Sequence, residues 1–518
     1  MFPLNPLSLE VAVLVLGLLL LLIEMFVVNG RKTTLAWAGI AGLSTVFLLS
    51  FAASSPQAVD AFSATGDPLN YRAFYSGDSL AMFFKRFALL TTIVVLVMSV
   101  DYLGVIRKFT PGATAEGGLG EFLALPVFTC AGLMWMASAT DFCMIFVSLE
   151  LVTISFYVLV SYTRRNAASL EAGVKYLILG ALSTGFFVYG ITWIYGVTGE
   201  TSLARVGAAL LQYKGGTAPV MFSFILLTIA LGFKIAAVPF QIWVPDVYQG
   251  APTPVTAFLS VGSKAAGFVV FMRIVNTFAV VPVIAQKMTV LLVVMAVATL
   301  IYGNLAALPQ NNLKRLLAYS SIGHAGYLLM AIASGVASMR SGHAVLFPTS
   351  GVVAFYLASY LPMTLLCFLV MIVVANYSAG DDVADFSGLS KRSPLLAFAM
   401  LIAMLSLAGI PFTGGFNGKF FVFLAAFNQR QYLLVAVGSL AVACGFYYYL
   451  KVVKAMYFQP VAEEAAVAVS RIPISNVTRV AVVLLVTAIV WLGVNPGPAL
   501  GLFGEPVRPA GAMVRTAH

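Results

Sequence analysis

Residues 231–254 read LGFKIAAVPFQIWVPDVYQGAPTP, an apolar segment that carries a lysine and then loses the means to stay helical. Pro239 comes five residues after Lys234, and Pro245, Gly250, Pro252 and Pro254 follow. Proline withdraws a backbone donor and glycine lets the chain leave helical geometry. The residues just upstream are almost wholly apolar, so the segment reads as a membrane-spanning helix that breaks beside a buried charge. Non-helical backbone at membrane depth is tolerated only where protein encloses it or where it lines a water-filled cavity. Residues 407–421, LAGIPFTGGFNGKFF, repeat the arrangement with Pro411, Gly414, Gly415 and Gly418 ahead of Lys419. Two broken helices in corresponding positions are the sequence sign of an internally repeated transporter, and they point at its ion pathway.

The rest of the chain fits this reading. Of its 518 residues 61% are hydrophobic and 9% charged, against about a quarter charged in soluble proteins. Apolar runs, each matching the roughly 20 residues a helix needs to cross a bilayer, predict spans near 8–28, 34–53, 79–100, 122–139, 141–162, 171–196, 220–247, 252–280, 286–307, 313–335, 346–376, 393–427, 431–457 and 474–494. The expected fold is an all-α polytopic membrane protein forming one integral membrane domain, residues 1–518. Within it, residues 1–120 carry the first three helices, 121–280 a first five-helix repeat (helices 4–8), 281–457 a second (helices 9–13), and 458–518 the last helix and tail. The first apolar run has no basic leader and ends at Glu24 without a cleavage pattern, so it reads as a retained helix. Cys130, Cys143, Cys367 and Cys444 lie in or beside apolar segments with no CxxC, which makes them packing residues. No metal site is expected.

The net charge of +10 reflects topology, because basic residues cluster in tight pairs at helix ends; nucleic acid is not an expected partner. With both termini outside, the inner loops hold Arg31/Lys32, Arg107/Lys108, Arg164/Arg165, Lys314/Arg315 and Lys391/Arg392, with Lys451, Lys454, Arg471 and Arg479. Outside fall Arg72, Lys85, Arg86, Arg205, Lys214, Arg273, Lys287, Arg340, Arg430, Arg508 and Arg515. Four of the 29 basic residues remain, Lys175, Lys234, Lys264 and Lys419, all within predicted spans, and Glu150 is the acid that joins them.

A charged side chain at a helix centre costs about 2.5–3.5 kcal/mol, so five cost on the order of 12–17 kcal/mol without compensation. Glu150 lies about 13 Å from one boundary of its span and about 21 Å from the other, and Lys264 is about 13 Å deep. Neither can snorkel to the headgroups. An inert Glu–Lys pair that fixes packing explains one such couple; four lysines against one acid cannot all be neutralised in that way. Lysine is also the cation that gives up its proton most readily when buried, whereas arginine suits a permanent pair, and no arginine sits at the midplane. Proton handling is therefore the expected role. Lys175 follows Glu171 by four residues, a helical ion-pair spacing, so a local pair and a relay role both stand. His324, in YSSIGHAG, reads either as a satisfied interior group or as a relay member. His343 and His518 read as boundary and tail residues, and Glu24 as a boundary acid near a helix end.

At these residues the chain resembles the antiporter-like membrane subunits of respiratory complex I, the proton-pumping NADH-quinone oxidoreductase, and most closely the subunit N type. The stretches that carry the resemblance are SLELVTISFYVLVSYTRR (148–165), EAGVKYLILGALSTGFFVYG (171–190), FKIAAVPFQIWVPDVYQGAPTPV (233–255), VGSKAAGF (261–268), LKRLLAYSSIGHAGY (313–327) and SLAGIPFTGGFNGKFFVF (406–423). The resemblance implies fourteen helices with two inverted five-helix repeats, broken helices 7 and 12, and no redox centre in this chain. It implies a proton relay in which Glu150 pairs with Lys234 and the path runs through Lys264 to Lys419, with Lys175 and His324 as further candidates. It also implies NADH, FMN, iron–sulfur clusters and quinone in partner subunits. M-type and small K/J-type membrane subunits are the implied neighbours, in an energy-transducing bilayer such as the bacterial inner membrane with both termini on the periplasmic side. A lysine on helix 12 departs from the M type, and an end after helix 14 departs from the L type with its long lateral helix. Gln241 stands where the family often has histidine after Pro-Phe; glutamine cannot titrate but can still hydrogen-bond.

Two other classes use the same features: a Mrp-type cation/proton antiporter subunit, and a related membrane complex driven by ferredoxin, F420 or hydrogen. A membrane enzyme acting on lipid or sugar is disfavoured, because no sizeable polar loop gathers acids or histidines.

Overall fold

The computed structural model describes residues 5–26, 33–53, 74–109, 119–341, 347–377, 380–460 and 471–501. Arg31, Lys32, Arg72, Arg508, Arg515, His343 and His518, together with the Arg340 side chain, lie outside the described residues. The protein is a multi-pass membrane protein in which thirteen helices, among the described residues, are long and apolar enough to cross a bilayer. They begin with α1 (Pro6–Phe26), α2 (Thr33–Ala52), α3 (Ser79–Phe109), α4 (Gly120–Ser138), α5 (Phe142–Val160) and α6 (Ala167–Thr198). A short helix, α7 (Leu203–Gln212), precedes α8 (Thr217–Ile235) and the half-helix α9 (Trp243–Gly250). Then come α10 (Thr253–Phe278), α11 (Pro282–Ala307), α12 (Leu313–Ser341) and α13 (Thr349–Ala375). Two half-helices, α14 (Pro394–Ala408) and α15 (Gly414–Asn428), stand where one span was predicted, and α16 (Tyr432–Phe458) and α17 (Asn476–Val494) complete the set.

Burial is graded from the centre outward. The most apolar window of α10 is completely buried, and those of α12 and α13 are 94% buried, whereas α6 and α17 reach only 28%. The exposed residues of the outer helices are apolar, among them Leu182, Leu440 and Leu484, as a lipid-facing surface requires. At the centre, α11 and α12 approach closely: a Cβ added at Gly303 would lie 2.5 Å from the backbone nitrogen of Gly323. Small residues that let backbones touch are the usual basis of helix association in lipid, where apolar burial alone drives little.

Candidate functional site

Both predicted breaks are present, and they are built alike. The chain leaves α8 through Ala236 in the left-handed conformation (φ 64°) and leaves α14 through Gly409 in the same region (φ 91°). The Ala237 amide donates to Gly232 O at 2.9 Å, and the Ile410 amide to Leu405 O at 3.0 Å, so each half-helix ends in the same reversing turn. Pro239 lies in the first gap and Pro411 in the second. Three of the anticipated breaking residues sit elsewhere. Pro245 is in the first turn of α9, where an amide has no intrahelical partner to lose, and Gly414 and Gly415 open α15. Gly415 is required by proximity: a Cβ there would lie 1.9 Å from Ser406 O. The Trp243 indole closes the first gap by donating to Phe233 O at 2.9 Å. Gln241 is buried in that gap with its Oε1 free of any protein donor.

The breaks place the lysines at opposite ends of their half-helices. Lys234 is in the last turn of α8, and Lys419 is in the second turn of α15. Lys419 Nζ donates to Leu407 O at 2.8 Å and to Ala408 O at 2.9 Å, so its ammonium caps the negative end of α14. The Tyr327 ring lies 5.3 Å from it. Lys234 Nζ donates to the Thr153 hydroxyl at 2.5 Å and lies 5.7 Å from the Tyr176 ring.

Glu150 is three residues before Thr153 on α5, one helical turn away, but its carboxylate accepts from the Thr184 hydroxyl of α6 at 2.7 Å. Among the described residues no ion pair joins Glu150 to Lys234. Each charge has a hydroxyl partner, Thr184 for Glu150 and Thr153 for Lys234, and Lys234 meets α5 one helical turn from Glu150.

Lys264 follows a π-helical turn, Leu259–Ser263, that the sequence reading treated as ordinary helix. Such turns widen the helix by one residue and recur at functional sites. Lys264 Nζ donates to Ser321 O at 2.6 Å and also to the Ser321 hydroxyl. That hydroxyl accepts from Tyr360 at 3.0 Å and lies 3.3 Å from the Tyr248 hydroxyl. The adjacent Ser320 bonds Tyr449, whose hydroxyl is 3.2 Å from His324 Nε2, and His324 Nδ1 is 2.6 Å from the Tyr356 hydroxyl. His324 therefore lies in a second hydrogen-bonded group, Ser320–Tyr449–His324–Tyr356, which adjoins the Lys264–Ser321 group along α12 and reaches α13 and α16. Tyr356 in turn packs beside Gly418, the residue before Lys419. Ser320, Tyr356 and Tyr449 were missed in the sequence, where no spacing signal separates them from other interior hydroxyls.

Lys175 is the exception among the lysines. Its side chain is 41% exposed, and it pairs with Glu171 at 2.6 Å and with Asp246 at 2.7 Å; Arg315 binds the other Asp246 oxygen at 2.8 Å. The local pair is present, and it is part of a four-residue charged cluster that ties α6 to α9 and α12. Lys175→Arg keeps both carboxylate contacts and should lower coupled quinone reduction by less than about twofold, because partly exposed pairs contribute little; turnover of the assembled complex in membranes checks this.

A further buried pair lies outside the lysine set. Lys85, assigned by sequence to the outer boundary charges, lies within α3 fully buried and meets Glu10 of α1 at 2.8 Å, with the Tyr75 hydroxyl contacting both. The available signal was an acid early in one apolar run and a basic pair, Lys85 and Arg86, early in another. Glu10→Ala leaves the ammonium uncompensated and should destabilise by about 3–5 kcal/mol, whereas Glu10→Leu with Lys85→Met should recover most of that; thermal unfolding of the solubilised protein measures both. The boundary acid Glu24 does meet a helix end, accepting from the Gly120 amide at the start of α4 at 2.9 Å. Among the described residues no three His, Cys, Asp or Glu side chains gather as metal ligands.

Paired broken helices, with a buried lysine at each and a third lysine between them, define the chain as an antiporter-like membrane subunit. A family model described as "NADH:quinone oxidoreductase/Mrp antiporter, TM" matches residues 139–445. The chain belongs to this family. It is 41% identical over 467 residues to NADH-quinone oxidoreductase subunit N of Trichlorobacter lovleyi, covering 89% of each chain. It is 35% identical over 506 residues to NAD(P)H-quinone oxidoreductase subunit 2 of Microcystis aeruginosa, covering 96% of this chain and 92% of the other. A chain of respiratory complex I from Thermus thermophilus, solved with bound aureothin, superposes with a TM-score of 0.74 at 28% identity, covering 96% of this chain and all of that one. An archaeal membrane-bound sulfane sulfur reductase complex gives a TM-score of 0.78 at 24% identity, a likeness of fold alone.

Proposed function

We propose that the chain is the proton-translocating, non-redox subunit of the N type in a proton-pumping NADH-quinone oxidoreductase, moving protons through Glu150, Lys234, Lys264 and Lys419. The observation that carries this reading is the placement of three buried lysines at the two helix breaks and beside a file of two adjoining groups, Lys264–Ser321 and Ser320–Tyr449–His324–Tyr356. Hydroxyl and imidazole groups both donate and accept, so such a file passes a proton by successive reorientation, with internal water bridging the remaining steps. Loss of negative charge near Glu150 would weaken the hold on the Lys234 proton and release it toward Lys264, His324 and Lys419. Lys175 belongs to the surface cluster and serves as a structural tie.

In this reading NADH, FMN, iron–sulfur clusters and quinone are held by partner subunits, with M-type and small K/J-type subunits as neighbours. The bilayer is the bacterial inner membrane and both termini face the periplasm. Purified chain in liposomes tests the reading against a stand-alone cation/proton antiporter: no cation-dependent proton flux is expected without partner subunits, and robust flux would contradict it. Identifying the electron-input subunits that co-purify separates it from complexes driven by ferredoxin, F420 or hydrogen.

A further inference from the structure

The Asp101 carboxylate of α3 has no counter-charge among the described residues. It accepts from the Thr478 hydroxyl at the start of α17. It borders a cavity of about 320 Å³ lined also by Val373, Asn376, Tyr377 and Ser475. The cavity lies level with two helix ends: Asn376 caps α13 and Ser475 caps α17. That is the depth of the headgroup boundary, on the side where Arg107 and Lys108 end α3.

Two of the polar groups around this cavity, Asp101 and Asn376, offer acceptor oxygens. Asn376 Nδ2 donates to Asp101 O and to Ile372 O, both at 3.3 Å, which leaves its Oδ1 unused. Together with the Asp101 carboxylate, this suits a primary ammonium, which brings three N–H donors and one positive charge. Arg479, exposed and one helical turn beyond the cavity-lining Ser475 on α17, is a positive charge available to a phosphate. Further along α17, exposed Val480, Val483 and Leu484 provide an apolar track for acyl chains.

We propose that this cavity binds the headgroup of an aminophospholipid of the phosphatidylethanolamine class, with its ammonium on Asp101 and Asn376, its phosphate at Arg479 and its chains along α17. A trimethylated choline headgroup has no N–H to offer the carboxylate, so the site discriminates between the two lipids. The site is separate from the lysine file, and its failure would leave the proton reading untouched.

The test reconstitutes the intact complex into vesicles of equal parts phosphatidylethanolamine and phosphatidylcholine, re-extracts it in mild detergent and measures retained lipid by mass spectrometry. Wild type should retain phosphatidylethanolamine several-fold over phosphatidylcholine, and millimolar free phosphoethanolamine should not displace it. Asp101→Asn keeps the Thr478 hydrogen bond while removing the charge, and should abolish the preference. Arg479→Gln, an exposed change that leaves Thr478 and the Asp101 carboxylate in place, should lower total retention and leave the preference in place. Equal retention of both lipids by wild type would overturn the proposal. So would displacement by the free headgroup, or a partner side chain filling the cavity in the assembled complex.

Discussion

Lys419→Ala should reduce coupled quinone reduction and proton pumping at least tenfold in an assembled complex, and Lys419→Arg should not rescue it. The ammonium of Lys419 holds the two carbonyls that end α14. Alanine removes both the mobile proton and this cap; water entering the gap can satisfy the carbonyls, so the cost in stability is about 1–3 kcal/mol. Arginine can reach the same carbonyls and keeps the favourable charge at the helix end, but its guanidinium does not release a proton. A merely structural lysine would therefore be replaced by arginine with little loss, while a proton carrier would not. Lys234→Ala should match the loss, because Lys234 is the buried lysine of the first break, on the opposite side of it from Lys419 at the second. Pumping in inverted membrane vesicles, normalised to assembled complex, reads all three variants.

Gly415→Ala should act on the fold itself. A methyl group there would stand 1.9 Å from Ser406 O and 2.7 Å from Ser406 C, and would disturb the 3.1 Å bond from the Gly415 amide to the Ser406 hydroxyl. Backbone on both sides cannot rotate aside as a side chain can, so α14 and α15 would have to separate. Overpacking of this kind costs about 1–3 kcal/mol where side chains can yield, and more where they cannot. Gly414→Ala is the control: its nearest neighbours, 3.1 Å away at Leu492 Cβ and 3.3 Å away at Ser359 Oγ, are side-chain atoms. Immunoblots of membranes should show little assembled Gly415→Ala protein and near-normal amounts of Gly414→Ala.

The parts of this protein legible in its sequence are those that are costly in a membrane. Lys234, Lys264, Lys419 and Glu150 stood out because a charge in an apolar run demands a reason, and the breaks stood out because proline and glycine recur beside them. The structure adds what is cheap and therefore silent. Serine and threonine fit almost anywhere in a membrane helix by bonding their own backbone, as Thr91, Thr92 and Ser99 do. Nothing in the sequence distinguishes these from Thr153 and Ser321, which receive lysines. The π turn before Lys264 contains no proline and leaves no trace in hydropathy. Glu10 and Lys85 were hidden by position, each near a span end where a charge normally reaches the headgroups, although the two meet inside the bundle. Glu150 and Lys234 both stand out, but their partners, Thr184 on α6 and Thr153 on α5, depend on how the helices pack, which one sequence does not display.

The central claim is that the lysines at the two breaks carry protons. The most direct measurement is the proton-to-electron ratio of the reconstituted complex bearing Lys234→Ala or Lys419→Ala, taken together with its rate of coupled quinone reduction. A lowered ratio, or pumping and turnover that fall together to a small fraction of wild type, is the predicted result for each variant. Normal ratios at normal turnover in both would contradict the relay.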